Sequence, residues 1–200
     1  EKKDSFAALR YREFRSYLGM RFFFTFAYQM QAVIIGFHIY HLTKDPLALG
    51  LIGLCEAVPA IGIALYGGYV ADKSEKRGLL LKIFSGVFLC SIVMLIVTSG
   101  QMHNYVPTSY IVPIMYCMIF GVGLARGFFG PATFSLMAQI LPKELYPNAA
   151  TWSSSSWQFA SILGPFAGGI IYGFLGITIS YVVIVVFIFF DSKLSQRFAK

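Results

Sequence analysis

Residues 68–99 read GYVADKSEKRGLLLKIFSGVFLCSIVMLIVTS, a short charged stretch followed by an apolar run whose one charged residue is Lys82. A bilayer core about 30 Å thick needs about 20 apolar residues in an α-helix, and the run from Leu79 to Ser99 has that length. The stretch from Asp72 to Gly78 is mostly charged and short. A membrane-length run joined to a short polar connection predicts a protein built from membrane-spanning helices.

The rest of the chain repeats this pattern and predicts an all-α membrane protein with six spans. Of its 200 residues 57% are hydrophobic and 12% charged, and the mean hydropathy is +0.68, which excludes an ordinary soluble domain. The predicted spans are residues 16–42, 47–71, 79–99, 109–138, 149–174 and 178–190, joined by connections short enough for a compact bundle. We expect residues 1–15 to be a cytoplasmic segment, 16–190 the bundle, and 191–200 a cytoplasmic tail or the start of a linker to a second half.

Basic residues cluster on one side of the predicted membrane. Lys and Arg number 16 against nine Asp and Glu, a net charge of +7 that in a soluble protein would suggest nucleic acid. Short loops rich in Lys and Arg stay in the cytoplasm. With six spans, one side carries Lys2, Lys3, Arg10, Arg12, Arg15, Arg21, Lys73, Lys76, Arg77, Lys82, Lys143, Lys193, Arg197 and Lys200. The other side carries Lys44 alone, so both ends of the chain are predicted to be cytoplasmic and no nucleic-acid partner is expected.

Polar side chains inside four of the spans predict a watery cavity. Polar groups in hydrocarbon are costly unless they meet partners or water. The third and sixth spans carry almost none and should face lipid. Glu56 is the one acid deep in a span, which makes it a candidate for the pathway. The other residues assigned to a substrate or proton pathway are Gln29, Gln31, Tyr116, Arg126, Trp157 and Gln158.

Two interpretations of Glu56 stay open. It is either a proton relay, ion site or substrate contact, or a protonated structural residue that hydrogen-bonds two helices. Arg126 has the same alternatives. At 1.5 Å per residue, Glu56 lies on the order of 13 Å and Arg126 roughly 25 Å below the outer face. A direct pair between them is therefore not expected, and Gln29 lies closer to the depth of Glu56.

The connection from Gly68 to Arg77 resembles motif A of the major facilitator superfamily, whose usual form is G-x-L-A-D-R-x-G-R-R. Four positions match, Lys73 replaces an arginine, and Glu75 stands where glycine is usual. The resemblance implies that this loop gates the conformational change. The gating residues that it implies are Gly68, Asp72, Lys73, Lys76 and Arg77.

Three further stretches resemble the same superfamily. Residues 42–51 are similar to the segment joining the first two helices in the branch that includes enterobactin and macrolide exporters. Residues 121–131 with Leu141-Pro142 are similar to that branch's fourth helix and loop, and Arg126 falls near the arginine of motif B. The antiporter motif C, G-P-x-x-G-G, is matched by Gly164, Pro165, Gly168 and Gly169, which we add to the gating residues.

This resemblance implies half of a twelve-helix transporter: one six-helix half, itself a 3+3 inverted repeat, that works by alternating access around a midplane site. The implied function is secondary active transport, with proton-coupled export of a small amphipathic molecule such as a drug or siderophore. A lipid or lysophospholipid transporter of the same fold and a non-transporting scaffold are the alternatives. The partners would be protons or another coupling ion, the lipid of a bacterial inner membrane, and a carboxyl-terminal half or a second copy.

Other classes lack their motifs. The G-x-S-G of a rhomboid protease and the T-V-G-Y-G of a potassium filter are missing, so neither an enzyme nor a channel is favoured. P-loop and dinucleotide motifs are also missing, so energy must come from a gradient. Cys55, Cys90 and Cys117 lack the paired spacing of a metal site, and no metal or cofactor is expected.

Overall fold

The chain forms long α-helices, as predicted. Its computed structural model describes residues 5–99 and 107–197, and only the backbone of residues 65, 72, 76, 77, 108, 109 and 191–197. The long helices are α1 (Arg12–Thr43), α2 (Pro46–Lys73), α3 (Lys76–Thr98), α4 (Thr108–Ile140) and α5 (Tyr146–Arg197). Short 3₁₀ helices cover Ala8–Arg10 and Lys143–Leu145.

Five helices in the described part are long and apolar enough to cross a membrane. The all-α membrane fold is thereby confirmed, but the count of six separate helices is not. The spans predicted at 149–174 and 178–190 both lie in α5, whose two helical stretches meet at Gly176, within the connection expected at 175–177. Most of the connection predicted at 100–108 lies outside the described residues.

The helix α5 is broken at Gly176. This residue has φ 74° and ψ 179°, a backbone conformation that is essentially restricted to glycine. Gly164 lies against the carbonyl of Phe26, while the ring of Phe187 lies 5.3 Å from the ring of Phe26. Because residues on either side of Gly176 meet the same point of α1, the chain reverses direction there. One residue is enough to make this turn, which is why helical geometry resumes at once on both sides.

The turn between α1 and α2 is fixed by local chemistry. Lys44 ends α1 in the left-handed conformation, with φ 54°. Asp45 then caps α2, because its Oδ1 accepts a hydrogen bond of 2.9 Å from the backbone N–H of Leu47. Pro46 occupies the first helical position, where its missing N–H costs nothing.

Glycines bring the helix backbones into contact. On α5, a Cβ at Gly164 would lie 2.8 Å from the carbonyl oxygen of Phe26, and one at Gly168 would lie 3.0 Å from that of Met30. In a membrane, small residues at such interfaces let helices pack closely and gain dispersion energy. Gly164 and Gly168 of motif C therefore allow α5 to pack closely against α1. Gly169 has nothing within 4 Å of its Cβ position and takes no part.

The amino-terminal segment is held by the start of α5. Asn148 Oδ1 accepts a hydrogen bond of 3.1 Å from the N–H of Ala8, and its Nδ2 donates one of 2.8 Å to the carbonyl of Ser5. Trp152 Nε1 donates to the same carbonyl at 3.0 Å, and its ring lies 5.6 Å from that of Phe6. These contacts join residues about 140 positions apart, so the segment before α1 is part of the fold.

Candidate functional site

A charged cluster joins α1, α2 and α4 inside the bundle. Arg126 Nη1 donates hydrogen bonds to Glu56 Oε1 and, at 2.9 Å, to the Tyr28 hydroxyl. The Tyr28 hydroxyl donates to the same carboxylate oxygen, and the Arg126 guanidinium lies 5.2 Å from the centre of the Tyr28 ring. The side chain of Glu56 is 16% exposed and that of Arg126 is 52% exposed. One carboxylate therefore ties three helices together.

The expectation that Glu56 and Arg126 lie too far apart to pair is wrong. A Cβ at Gly123 would lie 2.5 Å from the carbonyl oxygen of Glu56, and one at Gly127 would lie 2.9 Å from that of Ala60. The helices α2 and α4 thus run parallel, and Glu56 is level with Gly123 rather than far above it. Counting residues from the start of each helix overestimated the difference in depth between Glu56 and Arg126. The reason is that α4 starts farther above the level of Gly123 than α2 starts above the level of Glu56. Arg126 is about one helical turn below Glu56, roughly 4.5 Å, which its long side chain spans.

Breaking this ion pair leaves a charge without its partner. Removing one member of a fully buried pair destabilises a protein by about 3–5 kcal/mol, since the remaining charge stays desolvated. Half of the Arg126 side chain is exposed, so water screens it and the cost at this site is lower. The carboxylate is the more buried partner. Its protonation would therefore change the contact between three helices.

A small cavity lies beside the carboxylate of Glu56. It has a volume of about 20 Å³ and is lined by Tyr28, Gln31, Glu56 and apolar residues of α1, α2 and α4. Gln31 is 2% exposed, and its Oε1 accepts a hydrogen bond of 3.1 Å from Ser91 Oγ on α3. Its Nε2 is buried with no acceptor among the described residues. The cavity is large enough for one water molecule.

A larger cavity of about 190 Å³ lies on the other side of the charged cluster. Three of the predicted residues, Gln29, Arg126 and Trp157, line it together. It also contains Arg21, which the sequence analysis counted among the basic residues of the cytoplasmic side and which lies within α1. The remaining lining residues are Phe24, Thr25, Tyr28, Phe129, Gly130 and Thr133.

Two predicted pathway residues lie elsewhere. The hydroxyl of Tyr116 donates a hydrogen bond of 2.9 Å to the carbonyl of Ala48, so it ties α4 to α2 away from both cavities. Gln158 is exposed on α5 and does not line the 190 Å³ cavity, although its neighbour Trp157 does. Successive helical residues point about 100° apart, which separates these two side chains.

Tyr28, Arg21 and Ser91 are functional candidates that the prediction of site residues missed. Tyr28 carried a usable signal, because it is a polar residue inside a span. The positive charge of Arg21 near a helix end was used to orient the chain and was not considered as part of a site. Ser91 carried no signal in the sequence, because a serine in an apolar helix most often hydrogen-bonds a backbone carbonyl of its own helix.

The gating residues of the motif A connection are described in part. Lys73 Nζ donates a hydrogen bond of 2.6 Å to the Tyr69 hydroxyl and lies 4.5 Å from the centre of that ring. A Cβ at Gly68 would meet nothing within 4 Å. The side chains of Asp72, Lys76 and Arg77 lie outside the described part. A crevice of about 770 Å³ opens beside this connection, between α2, α3 and α4.

A bundle of long apolar helices around a partly exposed ion pair and a cavity lined by polar side chains is compatible with a multi-pass membrane transporter. Comparison with known proteins supports the major facilitator superfamily, and points to a transporter rather than an enzyme. Within it, the profile of the transmembrane secretion effector family matches residues 3–193, so the chain belongs to that family.

A curated relative extends this comparison. An uncharacterised transporter of the major facilitator type from Bacillus subtilis (strain 168), YkuC, is 25% identical over 152 residues. The match covers 70% of this chain and 31% of that protein, so the chain spans less than a third of the relative's length. No solved structure matches this chain.

Proposed function

We propose that this chain is the amino-terminal half of a proton-coupled antiporter that exports a small amphipathic molecule by alternating access. The observation that carries the proposal is the buried carboxylate of Glu56, shared by Arg126 and Tyr28 from two other helices. Such a group inside a membrane protein is costly and is retained chiefly where protons, ions or substrates pass.

In this proposal the proton and the ion pair compete for Glu56. When Glu56 is ionised, Arg126 and Tyr28 hold α4 and α1 against α2. When a proton binds, the attraction to Arg126 is lost and α4 is no longer held against α2 by the ion pair. A pair that is made in one state and broken in the other gives protons the differential affinity that moves an equilibrium. Gln31 and the small cavity offer a place for one water beside the carboxylate.

The proposed architecture is six spans in a 3+3 inverted repeat, with α5 supplying the last two on either side of Gly176. Large apolar side chains of α2 stay exposed, among them Leu54 at 58% and Ile61 at 73%. A carboxyl-terminal half, or a second copy, would cover this face. The chain matches less than a third of the length of YkuC, which favours a carboxyl-terminal half over a second copy. We place the protein in the exporter branch and in a bacterial inner membrane, with both ends of this segment cytoplasmic.

The gate in this proposal comprises the two motifs. The motif A residues lie where α2 passes into α3, at the predicted cytoplasmic face. They are Gly68, Asp72, Lys73, Lys76 and Arg77. A charged loop at a helix end can pair with a neighbouring helix terminus in one state and release it in the other. Of the motif C residues, Gly164 and Gly168 form the tight contact between α5 and α1, about which the two helices would rock, and Pro165 and Gly169 lie beside them on α5.

A lipid or lysophospholipid transporter is the second candidate. The crevice of about 770 Å³ between α2, α3 and α4 favours it, because its wall contains apolar side chains together with Glu75 and Lys82. Such a mixed wall suits a molecule with a charged head and an apolar tail. The third candidate, a scaffold that transports nothing, predicts no proton movement at all.

The test uses Glu56→Gln, which keeps the size and the hydrogen bonds but cannot release a proton. Inside-out membrane vesicles are energised, and substrate-dependent proton efflux is followed with the probes 2-naphthoate, ethidium and lysophosphatidylcholine. We expect Glu56→Gln to abolish proton efflux and uphill accumulation while downhill exchange persists. Glu13→Gln, an exposed carboxylate on α1, is the matched control and should behave like the unaltered protein. Proton-driven accumulation that persists in Glu56→Gln refutes the coupling role.

A further inference from the structure

The cavity of about 190 Å³ is positively charged. Two arginines line it, Arg21 and Arg126, and none of its lining residues is acidic. Glu56 neutralises one guanidinium, so the cluster and cavity together carry one uncompensated positive charge. A positive charge in a partly buried site costs free energy unless an anion accompanies it.

The uncompensated charge lies on Arg21. Its Nη1 donates a hydrogen bond of 3.2 Å to the Tyr17 hydroxyl, a neutral partner on the same helix. Its Nε is buried with no acceptor in the part of the chain that the structure describes, and no carboxylate there pairs with it. A guanidinium offers five N–H donors and accepts none, and its fork matches a carboxylate or a phosphate. The unmet donor therefore indicates the chemistry of the missing partner.

The rest of the cavity wall suits an aromatic or apolar body beside the anion. Trp157 is 45% exposed and the ring of Phe129 stacks on that of Phe24 at 4.2 Å. Thr25 and Thr133 add hydroxyl groups, although Thr133 already donates to the carbonyls of its own helix. Ligand pockets typically measure about 300–1,000 Å³, so this cavity accommodates the head of a molecule and leaves the tail outside it.

We propose that this cavity binds the anionic head, a carboxylate or a phosphate, of an aromatic amphipathic substrate, with Arg21 as the principal cation. The proposal rests on the proposed transport function and names its substrate class. Arg126 lines the same cavity but is neutralised by Glu56.

The test measures equilibrium binding in detergent, where no gradient exists. Three probes with the same ring system are compared: 2-naphthoate, 2-naphthyl phosphate and the uncharged 2-naphthamide. The signal is the difference in tryptophan fluorescence between the protein and its Trp157→Phe variant, which isolates Trp157. We expect at least one anion to bind about 10-fold or more tightly than the amide, since charge-assisted hydrogen bonds are the strong ones. The comparison of the two anions separates carboxylate from phosphate.

Arg21→Gln should weaken anion binding by about 10- to 100-fold and leave binding of the amide unchanged. Arg21→Lys keeps the charge and should lose less, which serves the test if Arg21→Gln fails to fold. Arg15→Gln removes an exposed charge from the same helix and should change nothing. The inference is overturned if neither anion binds, if the amide binds equally well, or if Arg21→Gln weakens all probes alike. Anion-selective binding without proton-driven transport would instead refute the transport proposal and leave this one standing.

Discussion

Gly123→Ala tests whether backbone contact sets the register of α2 and α4. The added methyl would lie 2.5 Å from the carbonyl oxygen of Glu56 and 2.9 Å from Pro59 Cγ. Ordinary contact begins near 3.4 Å, so the helices must separate by about 0.9 Å at this level. Neither the carbonyl nor the proline ring can rotate away. Overpacking of this kind costs about 1–3 kcal/mol, and a backbone neighbour places it near the upper end.

Alanine also favours the helix over glycine by about 1 kcal/mol, so the net loss is about 2 kcal/mol. For a chain of this size that lowers the melting temperature by about 4–8 °C. The control is Gly130→Ala on the same helix, whose Cβ would meet nothing within 4 Å and which should raise the melting temperature by about 1–4 °C. Thermal unfolding of the purified protein in detergent measures both. Equal melting temperatures for the two variants would mean that no such backbone contact exists.

Two further predictions concern orientation and the amino-terminal segment. A cysteine at Ser74 should react with a membrane-impermeant maleimide only from the cytoplasm and one at Asp45 only from outside; labelling of Ser74 in intact cells reverses the topology. Asn148→Ala removes the acceptor of the buried Ala8 N–H and should speed its hydrogen exchange by about 5- to 100-fold, since the lost bonds are worth about 1–3 kcal/mol. Thr151→Ala, which loses only a bond within its own helix, should leave that exchange unchanged.

Sequence alone located the helices well because composition and length decide them. The prediction of α2 as residues 47–71 differs from the observed Pro46–Lys73 by two residues at most. The connection predicted at 175–177 falls on Gly176, where the chain reverses. One helical stretch ends and another begins there, but the turn takes a single glycine rather than three residues. Hydropathy detects a break in an apolar run and does not measure how few residues the turn needs.

The site was harder to predict because it depends on how helices slide along one another. Each sequence window gives the length of its own helix, whereas the pairing of Glu56 with Arg126 depends on the axial offset between α2 and α4. That offset is set by one glycine against one carbonyl, a contact that hydropathy does not report. Arg21 shows the same limit, since a charge inside a polar cavity and a charge in a loop look alike in sequence.

The hold of Asn148 on the amino-terminal segment has a consequence for synthesis. Ala8 leaves the ribosome 140 residues before its partner. At about 5–20 residues per second, roughly 7–28 s pass before Asn148 is made. During that interval four helices are inserted while the segment before α1 has no binding site. Ser5 and Ala8 therefore reach their native contacts only after the start of α5 has been made.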